Sequence, residues 1–143
     1  MSALYDFFVR LGEKFSHWFL LAIRLFWGIQ FALGGWAKLQ NLKATTEFFG
    51  KVGIPYPDFH ANLVGYVELI GGLALAVGLL SRIASIPLII TMIVALFTAH
   101  VAFLAAPMSV VNEPPFNFLL ASLTVFSFGP GRFSLDNLFL KNK

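Results

Sequence analysis

Phe59–Leu80 reads FHANLVGYVELIGGLALAVGLL, and the fold follows from that stretch. A bilayer's hydrocarbon core is about 30 Å thick, and a helix needs roughly 20 mostly apolar residues to cross it. This stretch is long enough, and Glu68 is its one charged residue. The rest of the chain has the same character. Hydrophobic residues make up 58% of it, charged residues 12%, and the mean hydropathy is +0.80. A soluble domain carries about 25% charged residues. A water-soluble fold of this composition would expose large apolar patches, so the sequence reads as an integral membrane protein. Its 143 residues fit one domain.

Working outward, three further spans emerge. One is expected over 17–39, with Arg24, Gln30 and Lys38 as its strongly polar members. Another is expected over 83–106, with Pro87 early and His100 near its far end. The last, 115–128, rises only about 20 Å as a helix. Proline at 114 or 115 suits its first turn, and Gly129-Pro130 ends it. Trp18 and Trp36 stand five helical turns apart on one face, about 27 Å, as interfacial anchors would. The first span is too long for the apolar region of a cleaved signal, and Trp36-Ala37-Lys38 is a poor cleavage site. It is therefore read as a retained helix.

Two shorter segments complete the plan. Residues 3–16 set Leu4, Phe7, Phe8, Leu11 and Phe15 at helical spacing, with Arg10, Glu13 and Lys14 between them. That pattern predicts an amphipathic helix lying on the membrane surface. Residues 42–52 predict a second short helix, before a turn at Gly53-Ile54-Pro55-Tyr56-Pro57. The expected fold is all-α: a four-helix integral membrane bundle over 17–139, preceded by a short N-terminal amphipathic interfacial helix over 1–16. Arg10, Lys14, Arg82, Arg132, Lys141 and Lys143 fall on the side of the termini, against Lys38, Lys43 and Lys51 opposite. The positive-inside rule then puts both termini in the cytoplasm. That scatter around helix ends also argues against nucleic-acid binding, despite the net charge of +3.

Ionisable groups inside spans are costly and mark candidate sites. At 1.5 Å per residue, Glu68 and Gln30 lie about 13 Å from the non-cytoplasmic boundary and His100 about 9 Å. Lys38 and Glu113 stand at the same end, while Arg24 lies about 10 Å from the cytoplasmic side. Arg24, Gly28, Ala32, Gly35 and Lys38 share one face of the first helix; Ala61, Gly65, Glu68, Gly72 and Ala76 share one face of the second. Small residues let membrane helices approach closely, so these stripes are the natural contact. Gln30 falls off the first stripe. Glu68 reads as a proton-exchanging carboxyl or an acceptor for a polar head group, or else as a structural partner of Arg24. His100 reads as an interfacial residue bonded to Glu113 or a carbonyl, or else as a proton relay or donor to a ligand carbonyl. For Lys38 the simpler reading is snorkelling.

The chain has no cysteine, which excludes dithiol redox pairs, c-type haem attachment and cysteine-ligated clusters. No ligand spacing joins His17, His60 and His100 into a metal or haem site.

In order along the chain stand Arg24, Gly34-x-x-x-Lys38-Leu39, Glu68-Leu69-Ile70-Gly71-Gly72, Gly78-Leu79-Leu80-Ser81-Arg82, Ala99-His100, Glu113 and Gly129-Pro130-Gly131-x-x-Ser134-Leu135-Asp136. This succession resembles the DoxX family of bacterial four-helix membrane proteins, over about residues 18–139. The resemblance implies a quinone-interacting subunit of a cytoplasmic-membrane oxidoreductase or oxidative-stress complex, related to the membrane subunit of thiosulfate:quinone oxidoreductase. It implies Glu68 and His100 in a catalytic role, with Lys38, Gln30, Glu113 and Arg24 around the substrate. Quinone is the implied ligand, and a redox partner or a second copy of the chain the implied company. Two other classes stand beside it: a non-catalytic membrane scaffold or assembly factor, and a small-solute transporter. The last is disfavoured by the lack of an internal inverted repeat.

Overall fold

A computed structural model of the chain describes residues 3–140, and the side chains of 3–139. The described residues are helical, with no strand among them: α1 (Ala3–Gln40), α2 (Leu42–Lys51), α3 (Pro57–Val77), α4 (Ser81–Thr98), α5 (Pro114–Phe128) and α6 (Leu135–Leu140). Two short 3-10 turns, Val101–Leu104 and Pro107–Asn112, bridge α4 and α5. Three helices, α1, α3 and α4, are long and apolar enough to cross a membrane, and α5 is a shorter apolar helix. Lys141 and Lys143, counted toward the charge asymmetry, lie outside the described residues.

The helix expected over 3–16 is not separate from the span expected over 17–39. α1 runs through both for 38 residues, about 57 Å. Between Ser16 and His17 there is no proline or glycine pair to interrupt the backbone ladder, and Gly12 alone is a mild weakness. Leu4, Phe8, Leu11, Phe15, Trp18, Phe26, Ile29, Leu33 and Trp36 all stay exposed, forming one outward apolar face along the whole helix. In a membrane that face meets lipid.

α1 packs most extensively on α3, and the two small-residue stripes are the seam. Arg24, Gly28, Ala32 and Gly35 are buried on α1; Ala61, Gly65, Glu68, Gly72 and Ala76 are buried on α3. The backbones come so close that a Cβ on Gly28 would stand 2.7 Å from the Ala76 nitrogen, and one on Gly72 2.5 Å from the Ala32 nitrogen. Small residues here are a geometric necessity. Phe31, Leu75, Leu88, Met92 and Val125 form the central core, joined by Ile23, Val67, Phe118 and Leu119.

The third span is shorter than expected. α4 ends at Thr98, and the chain continues in the two 3-10 turns although 101–106 is as apolar as the helix before it. His100 therefore sits beyond the helix end. Hydropathy registers apolar composition and does not register where the backbone turns.

The cytoplasm-facing end predicted from charge is closed by the segment after α5. Gly78 takes the left-handed conformation that ends α3 (φ 74°), and the Leu79 amide reaches back to the Ala74 carbonyl (2.9 Å), a Schellman closure. Leu80 follows with φ 47°, strained for a residue with a branched side chain. Asp136 holds it there, accepting hydrogen bonds from the Leu80 amide (2.6 Å) and the Ser81 amide (2.9 Å). A carboxylate thus caps the start of α4, where the helix dipole favours negative charge.

Candidate functional site

The site begins with the placement of Glu68. α3 carries it on the buried stripe, and Lys38, one helix away at the end of α1, meets its Oε2 with Nζ at 2.5 Å. The Glu68 side chain is 5% exposed and that of Lys38 is 32% exposed. Two expectations change here. Lys38 does not snorkel, and the partner of Glu68 is Lys38 where Arg24 was the alternative.

Arg24 stays at the opposite end of the α1–α3 seam, away from the other polar candidates. Its guanidinium donates to the carbonyls of Pro130, Phe133 (2.8 Å) and Ala76 (3.4 Å). Those bonds tie the segment after α5 to α1 and to the end of α3. Gly78 makes room for them, since a Cβ there would stand 2.9 Å from the guanidinium.

Around the ion pair lies a cavity of about 660 Å³, walled by α1, α3, α4 and the start of α5 and roofed by α2 and residues 52–55. Gln30, Lys38, Glu68 and His100 all line it. Most of the remaining wall is apolar, with Phe31, Phe49, Ile54, Met92 and Phe118 prominent. Gly34 contributes by having no side chain: a Cβ there would lie 3.5 Å from Glu68 Oε2 and 3.9 Å from Lys38 Nζ. The floor over the ion pair is therefore open.

A second polar pair stands at the rim. His100 Nδ1 meets Glu113 Oε2 at 2.5 Å, one of the two partners the sequence leaves open. Because a carboxylate accepts, Nδ1 carries the proton and the ring's other nitrogen is left for a ligand or water. His60 also lines the wall, its Nδ1 bonded to the Pro55 carbonyl (2.7 Å). Sequence reading set His60 aside because its position connects to no other histidine. Its proximity to Pro55 in the turn before α3 is the signal that would have found it. Gln30, off the stripe, still reaches the cavity from an exposed position.

Chemically, the arrangement offers an ammonium donor, a carboxylate, an amide and two imidazoles on the walls of a largely apolar chamber, with the Glu113 carboxylate behind one imidazole. Such a chamber suits a flat or aromatic ligand with one or two polar atoms.

Known proteins place the chain. The DoxX family model matches residues 19–101, a stretch that includes Lys38, His60, Glu68 and His100 but stops short of Glu113 and Asp136. The chain is 33% identical over 123 residues to "Putative oxidoreductase CatD" of Bacillus subtilis, covering 86% of this chain and 88% of that one. It is 31% identical over 128 residues to the uncharacterized membrane protein Rv3486 of Mycobacterium tuberculosis, covering 82% and 78%. It is 31% identical over 136 residues to the inner membrane protein YqjF of Escherichia coli, covering 85% and 92%. No solved structure matches it. With more than half its length under the family model and these relatives aligned nearly end to end, the chain belongs to the DoxX family of membrane proteins.

Proposed function

We propose that the chain is a quinone-interacting subunit of a bacterial membrane oxidoreductase or oxidative-stress complex. In this reading α1, α3, α4 and α5 cross the cytoplasmic membrane as a four-helix bundle with both termini inside. The observation that carries it is the Lys38–Glu68 pair on the wall of an apolar cavity. A quinone head group has an apolar ring and two carbonyl oxygens. The cavity volume lies within the roughly 300–1,000 Å³ of ligand pockets. Lys38 Nζ can donate to one carbonyl and the amide of Gln30 to the other, while the free nitrogen of His100 can accept from a hydroxyl of the quinol.

Reduction of a quinone to its quinol adds two electrons and two protons, one proton to each oxygen. The Glu68 carboxyl and the His100–Glu113 pair are the groups placed to pass protons. The electrons come from a partner redox subunit, since this chain has no cysteine to ligate a cluster. One relative carries an oxidoreductase name, which agrees with this role.

Purification in mild detergent followed by mass spectrometry of extracted lipids tests the reading directly, with quinone expected among them. Glu68→Gln and His100→Ala should each weaken quinone binding by about tenfold, the scale of a hydrogen bond to a charged group. Both variants should remain folded in the membrane. Unchanged affinity in both would sink the proposal. Lost partner co-purification with quinone affinity intact would favour a scaffold.

A further inference from the structure

The cavity's walls change character where α3 faces α4. The two helices meet closely at Gly71, against which Leu88 packs, not far from the turn that joins them. Beyond that contact the cavity lies between them. α4 presents Ile90, Thr91, Val94, Ala95 and Thr98 to it, spaced three and four apart and so on one helix face. Thr91 and Thr98 turn their hydroxyl protons back to the carbonyls of Pro87 and Val94, both at 2.8 Å, so this wall offers little polarity. Leu63 stands opposite on α3.

Leu63, Ile90 and Val94 line the cavity and are nevertheless 45%, 56% and 44% exposed. Residues that both line a chamber and face outward mark its openings, and Phe48, 49% exposed, marks another on α2. The opening between α3 and α4 is apolar and lies on the flank of two helices long enough to cross a membrane. Such an opening gives onto acyl chains. The Lys38–Glu68 pair, by contrast, belongs to the seam between α1 and α3. The chamber thus has a polar inner end and an apolar side door.

We propose that the α3–α4 cleft is the portal through which a lipid-soluble quinone enters from the bilayer. Its head group reaches Lys38 and Glu68, and its isoprenoid chain remains against Leu63, Ile90 and Val94. The proposal rests on the quinone reading above and adds the substrate class: a chain-bearing quinone, drawn from lipid and not from water.

The test uses the full chain in lipid nanodiscs. The ligands are ubiquinone and menaquinone with their isoprenoid chains, and the same two rings with the chain replaced by methyl. Val94→Trp and Leu63→Trp narrow the opening between α3 and α4 with side chains that lipid tolerates. Each should weaken binding of the chain-bearing form by about tenfold relative to the unaltered protein. The methyl forms should bind as before, which also shows that the variants are folded. Equal losses for both forms, or no loss for either, would overturn the portal while leaving the quinone site standing. Failure of the unaltered protein to bind any of the four would remove the quinone reading and the portal together.

Discussion

Arg24 shows how little of a buried charge's role is contained in its own position. Its helix face is readable from the sequence, and Arg24 is buried on that face. Its partners are not, because they are backbone carbonyls at Ala76, Pro130 and Phe133, and sequence carries no mark of where carbonyls point. Arg24→Met should cost about 2–3 kcal/mol, from hydrogen bonds made by a charged donor, read as a lowered unfolding temperature in detergent. The segment after Phe128 should also become susceptible to protease. A variant as stable and as resistant as the parent would show that the clasp is incidental. Asp136→Ala removes the cap of α4 and should cost about 1 kcal/mol, measurable in the same melt. The ion pair at Lys38 teaches a related lesson: both partners were singled out by residue type and depth, but their pairing depends on how α1 and α3 cross.

At the scale of elements, the α1–α3 seam was legible because small residues recur on a single helical face in each partner, a pattern that lipid exposure does not require. Its energetics can be tested by contrast. Gly28→Val and Gly72→Val drive side chains into opposing backbone and should each destabilise by about 1–3 kcal/mol or more. Gly34→Ala, with its nearest neighbours at ordinary contact distance, should stay within about 0.5 kcal/mol. If all three melted alike, close approach would not be what the glycines supply. The limits of α1 and α4 were less legible. Nothing in 3–40 breaks a helix, so an amphipathic segment and a span fuse into one rod. In 99–106 an apolar run leaves the helix where His100 reaches toward Glu113, an interaction across 13 positions that local pattern does not encode. The cavity escaped sequence reading for the same reason: its polar residues could be named, but an empty space belongs to no residue.

For the molecule as a whole, the outward faces of the long helices are largely apolar, and Arg24 and Glu68 are the charges buried within them. The proposed topology makes a simple forecast, because the chain contains no cysteine and any introduced thiol is a unique reporter. In intact cells a membrane-impermeant maleimide should label Lys43→Cys and spare Lys14→Cys, with Lys14→Cys labelled once the membrane is opened. The reverse order would invert the orientation, and labelling of both in intact cells would refute opposite sides. The clasp at Arg24 has a further consequence in time. Arg24 is made early, and the carbonyl of Pro130 comes 106 positions later, roughly 5 to 20 seconds of bacterial translation. Throughout that interval the nascent chain holds an arginine in its first span without its last carbonyl partners. The stretch after α5 relieves this fault, so a polypeptide cut short after Phe128 would keep that arginine without the carbonyls of Pro130 and Phe133.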